Sequence, residues 1–123
     1  MASISHTLSP SQMPERQRLH LAQWLVTLVE LRFGLPKGHL TLPGRGNMRS
    51  TEARQLAAYL IHTSLGLPLR HTADILRRHR STIAHSLREV ERRRDDPLLD
   101  EHVEALHAHL STLSGVLLAE TAQ

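Results

Sequence analysis

Apolar residues return every three or four positions along most of this chain, the period of one buried helix face, and no stretch shows the alternation of a half-buried strand. Leu21, Leu25 and Leu28, with Arg32 on the same side and Trp24, Leu31 and Phe33 nearby, predict a first helix from Pro14 to about Phe33, ended by Gly34 and Pro36. A second runs from a cap at Ser50 or Thr51 to about Leu65, turning Leu56, Ala57, Leu60, Ile61 and Ser64 inward, with Glu52 placed well for the helix dipole. Gly66 stops it and Pro68 opens a short third helix to about Leu76, with Leu69, Ala73 and Leu76 at helical spacing. A basic turn, Arg77 to His79, leads into a fourth helix ending near Arg94. Asp95-Asp96-Pro97 breaks it and starts a fifth, over 97–118, whose Leu99, Val103, Leu106, Leu110, Leu113 and Leu117 form a heptad-like stripe.

The expectation is an all-α fold, a compact helical domain of about five helices containing a helix-turn-helix over 68–94. The first thirteen residues, aperiodic and containing Ser and Pro, are expected to be a disordered lead to a single domain over 14–123. Residues 34–49 form a Gly- and Pro-rich connector that carries Arg45 and Arg49, a basic loop.

Composition sharpens this picture. One Trp, one Tyr and one Phe in 123 residues leave the core to Leu, Ala, Val and Ile. The absence of cysteine excludes disulfides, thiolate metal sites and thiol catalysis. No stretch reads as a signal peptide or membrane span, so the expectation is a cytoplasmic, nucleoid-associated protein without membrane contact. The net charge of +3 is unevenly spread: residues 1–44 carry +2, residues 45–94 carry +7, and residues 95–123 carry −6. That polarity suits a middle segment that meets a polyanion.

The fourth helix has two chemically different faces. Ile83, Leu87 and Val90 make an apolar stripe, while Ser81, Thr82, His85, Arg88 and Arg92 lie opposite. Short hydrogen-bonding side chains in a first turn, flanked by arginines, fit a DNA major groove, with hydroxyls and imidazole near base edges and guanidinium groups near phosphates. Thr82 is also a candidate cap, and Arg92, Arg93 and Arg94 either reach phosphates or satisfy the helix C-terminus. Trp24 and Tyr59 read as core residues. His102, His107 and His109 have the wrong spacing for one metal ion, and no residue pairing suggests a catalytic site, so neither cofactor, metal nor enzymatic activity is expected.

The order of basic loop, Arg-Gln-Leu-Ala-Ala-Tyr-Leu helix, short helix and Arg-His-Arg-Ser-Thr-Ile-Ala-His-Ser run resembles the C-terminal DNA-binding domain of the bacterial replication initiator DnaA, domain IV, a Trp-repressor-like fold. Arg78, Ser81, Thr82, Ile83 and His85 fall on that family's hallmark run. Arg54, Gln55, Ala57 and Leu60 match the preceding helix, and the likeness spans roughly residues 25–113. The resemblance implies that Ser81, Thr82 and His85 contact bases or backbone in the major groove. It also implies that Arg78 holds phosphate and that Arg45, with Arg49 second, enters the neighbouring minor groove; Arg54 is either a family contact or a structural arginine.

Two specificity positions depart from the family: His79 stands in place of Asp and Arg80 in place of His, while a Gly-Gly before the run is reduced to Arg77. Loss of an acceptor for cytosine N4 and gain of a guanidinium suited to guanine predict an altered, more G-rich site. The only lysine, Lys37, lies outside any phosphate-binding Gly-x-x-x-x-Gly-Lys-Ser/Thr loop, so this is expected to be a DNA-reading domain detached from the ATP-driven motor. Expected partners are double-stranded DNA, a DnaA-type initiator or other replication protein, and a second copy through the C-terminal helix. The alternative is a helical adaptor that works through its acidic C-terminal helix.

Overall fold

The computed structural model describes residues 9–44 and 46–121, and among these the fold is all-α. Five α-helices follow one another: α1 (Glu15–Arg32), α2 (Met48–Thr63), α3 (Leu69–Leu76), α4 (Arg80–Arg92) and α5 (Pro97–Thr121). Single 3-10 turns, Pro10–Gln12 and His39–Thr41, precede α1 and α2. Leu21, Leu25 and Val29 of α1, Leu56, Leu60 and Ile61 of α2, Leu76, Ile83 and Val90 of α3 and α4, and Leu106 and Leu110 of α5 converge on one core. The heptad-like stripe is part of that core: Leu99, Val103, Leu106 and Leu110 are buried, and Leu113 and Leu117 pack half-buried against it. No described helix is long and apolar enough to cross a membrane.

The end of α1 meets the first turns of α5, where the Arg32 Nε donates to His102 Nδ1 at 2.6 Å and the Phe33 and His102 rings stack 4.9 Å apart. Burial and the neighbouring Arg32 cation pull the His102 imidazole below its ordinary range. Tyr59 is in the core, as its type suggests, and its hydroxyl accepts from Arg94 Nη1 at 2.8 Å. Trp24 is not: it is 41% exposed, one helical turn from the buried Leu21.

Two boundaries differ from the periodicity. The aperiodic lead does not extend to residue 13: residues 9–12 form a 3-10 turn with its cap and Met13 is 2% exposed, while residues 1–8 lie outside the described part. Arg18 holds this segment down, its Nε donating to Met13 O at 2.8 Å and its Nη1 to Leu65 O and Gly66 O at 3.1 Å each. Helix α2 begins earlier than Ser50 because Asn47 is its cap, accepting the Ser50 N–H at 2.9 Å. Ser50 itself is buried, and a Cβ on Gly46 (φ +72°) would collide with its hydroxyl, so this bend requires glycine.

Candidate nucleic-acid interface

Helices α3 and α4 are joined by three residues, and the backbone of Arg77 makes the turn possible. Arg77 ends α3 at φ 54°, ψ 49°, the left-handed conformation normally left to glycine, and is the only non-glycine residue with positive φ among those described. The Arg78 N–H then closes on Ala73 O at 3.0 Å. The cap of α4 is His79, whose Nδ1 accepts the Ser81 N–H at 3.1 Å, so Thr82 is not needed for that task and stays exposed. Ile83, Ser86 and Val90 are buried under α4, which leaves His79, Arg80, Ser81, Thr82, His85, Arg88 and Arg92 on its solvent side together with Arg77.

Between α2 and α4 runs an open groove of about 680 Å³. Ser81, Thr82 and His85 line it from α4, Arg78 from the turn and Gly44 from the loop. Thr51, Arg54 and Gln55 line it from α2, and no carboxylate does. Thr51 and Gln55 were not among the contact residues read from the sequence. The signal for them was their place one helical turn apart on α2, beside Arg54. Arg49 is exposed in the first turn of α2, outside the groove lining, and Arg45 lies outside the described residues.

The arginines divide by what they hold. Arg78, read from the sequence as a phosphate contact, has its guanidinium committed to backbone oxygens: Nη2 donates to Leu42 O at 2.7 Å and Gly44 O at 3.0 Å, and Nη1 to Arg77 O at 3.1 Å and Leu76 O at 3.3 Å. Arg54, 8% exposed, donates through Nε to Leu40 O at 3.1 Å. The loop leading to Arg45 therefore hangs from two guanidinium groups, and the two remain cationic although burial, and for Arg54 also the Arg78 charge, pull them below the usual arginine range. Leu40 is held from its other side as well, since the buried Glu30 carboxylate accepts the Leu40 N–H at 2.9 Å and the Gly38 N–H at 3.0 Å.

The run at the end of α4 is tied to acids. Arg92 pairs with Glu89 at 2.9 Å, Arg93 with Glu52 at 3.1 Å, and Arg94 with Asp100 at 2.8 Å. By contrast Arg49, Arg77, Arg80 and Arg88 are exposed and make no ion pair with any described residue. Of the C-terminal histidines, His107 sits 3.1 Å from Ser64 Oγ and His109 is exposed; no three metal-ligating side chains come together among the described residues.

No protein-family model, curated protein or solved structure matches this chain.

Proposed function

We propose that this chain is a sequence-specific double-stranded DNA-binding protein that lays α4 in the major groove, with α3 and α4 acting as a helix-turn-helix. The observation that carries the reading is the segregation of cations. Arg49, Arg77, Arg80 and Arg88, beside a carboxylate-free groove lined by Ser81, Thr82 and His85, make no ion pair with any described residue, whereas Arg92 and Arg94 each pair with one acid and Arg93 with two. Exposed, uncompensated cations next to hydroxyl and imidazole donors are the chemistry of a phosphate-flanked base edge. The basic loop, held by Arg54 and Arg78 at the rim of the same groove, supplies Arg45 for the adjacent minor groove.

The resemblance of the 78–85 run to the DnaA domain supports a role at DnaA-box-like sites, regulating replication initiation or transcription, with the initiator as competitor or partner. The role proposed for this domain is to mark or block such sites. The test is titration of random and selected duplexes at several salt concentrations. With about five to eight phosphates contacted, affinity falls with salt at a log-log slope of roughly −4 to −7, and a salt-independent complex overturns the reading.

The adaptor reading draws on the acidic 95–123 segment, where Glu101 and Glu104 are exposed on α5. Its Leu stripe, however, is engaged with the chain's own core.

A further inference from the structure

We propose that His79 is a specificity-determining residue whose ring is locked as a hydrogen-bond donor by its work as the cap of α4. The inference rests on the DNA reading above.

A backbone N–H can only donate, so the 3.1 Å contact from Ser81 N to His79 Nδ1 makes Nδ1 the acceptor and leaves it without a proton. The neutral ring then carries its hydrogen on Nε2. The same bare Nδ1 lies 2.8 Å from Ser81 Oγ, and that contact too has one possible polarity: the Ser81 hydroxyl donates. Both outward-facing functions follow. The exposed His79 ring offers Nε2–H as a donor, and Ser81 Oγ, its hydrogen committed, offers lone pairs.

In the major groove a donor seeks the keto oxygen of guanine or thymine or the N7 of a purine, and an acceptor seeks the amino group of adenine or cytosine. His79 therefore rejects cytosine, the one base that offers no acceptor there, on the strand it faces. An aspartate at this position would receive the same two hydrogens from Ser81 and keep the cap, but would face outward with lone pairs only. His79→Asp is thus a donor-to-acceptor exchange on an unchanged helix terminus.

The experiment has two arms. Long-range nitrogen–proton correlation spectra of the free protein at neutral pH are expected to place the His79 hydrogen on Nε2, and a hydrogen on Nδ1 overturns the inference whatever the protein binds. Site selection from random duplex DNA by the wild type and by His79→Asp is expected to return motifs that differ at one position, with cytosine excluded by the wild type and guanine and thymine excluded by the variant. Each protein should prefer its own site by about tenfold. Identical motifs overturn the inference. If the wild type enriches no site while the hydrogen is on Nε2, the DNA reading has failed and the base assignment falls with it, with the cap chemistry left standing. His79→Ala, which loses the cap and the donor together, should lose helicity at α4 where His79→Asp does not.

Discussion

Arg78 Nη2 reaches 36 residues back along the chain to donate to Leu42 O at 2.7 Å, so this arginine of the turn before α4 positions the basic loop instead of projecting toward solvent. Arg78→Ala should therefore free residues 42–44 and cost about 2 kcal/mol of stability, the scale of hydrogen bonds made by a charged donor. Amide exchange across the loop, read beside a urea titration, checks this. Loss of DNA affinity with unchanged loop protection would instead mean that Arg78 contacts phosphate directly.

Arg77 sits in a conformation that disfavours any side chain by about 1–2 kcal/mol. Arg77→Gly is expected to stabilise the fold by about 1 kcal/mol and at the same time to reduce the magnitude of the salt slope of DNA binding by about 1. Opposite movement of the two quantities, measured by chemical denaturation and by salt titration, identifies a strained residue kept for its charge.

Arg80 and Arg92 share a helix but not a situation. Arg80→Ala should relax base preference at one or two positions and cost about 1–3 kcal/mol in binding, because its exposed guanidinium makes no ion pair with any described residue. Arg92 is paired with Glu89, so Arg92→Ala should weaken all sequences alike and by less, and Glu89→Ala should tighten binding by releasing the same guanidinium. Competition assays with single-base variants separate these outcomes.

The His102 ring accepts from Arg32, and its pKa is lowered in the fold from the ordinary 6.5. The unfolded chain thus takes up a proton here before the folded one does, and stability must rise with pH through that interval. The contribution is complete above about pH 6.5 and is lost as pH falls through the depressed folded value. Melting curves between pH 7.5 and 5 should show a steeper acid loss for the wild type than for His102→Gln, whose amide can accept from Arg32 without titrating.

For the adaptor reading, cutting the chain after Ser111 would remove Leu113, Leu117 and Leu118, which pack on the core, and would confuse lost folding with lost partner. Glu101→Gln with Glu104→Gln changes only exposed charge on α5. Under the DNA reading this pair leaves site affinity within about 0.5 kcal/mol of the wild type, as surface substitutions usually do. Regulation lost in cells at unchanged affinity would favour the adaptor.

The helices were legible because their burial obeys one local rule: Leu56, Leu60 and Ile61, or Ile83, Leu87 and Val90, announce a face by spacing alone. The exposed face of α4 came with it, since what does not face the core faces solvent. Caps were harder. Ser50 and Thr82 have the expected chemistry, yet Asn47 and His79 do the capping, because a residue one turn earlier already satisfies the first amide groups. Hardest were Arg18, Arg54 and Arg78, whose guanidinium groups bind carbonyl oxygens up to 48 residues away and so leave no periodic trace in the chain. Their positive charge suggests a ligand; their partners are main chain.

The backbone of Leu40 is gripped on both sides, its N–H by Glu30 and its C=O by Arg54, and Leu42 and Gly44 are held by Arg78. Ordering one residue of backbone costs about 1–2 kcal/mol. Because this stretch is fixed before any duplex arrives, that entropy is not lost again on association. Calorimetry of the complex should accordingly lack the large unfavourable entropy and heat-capacity signature of a loop that folds onto its target.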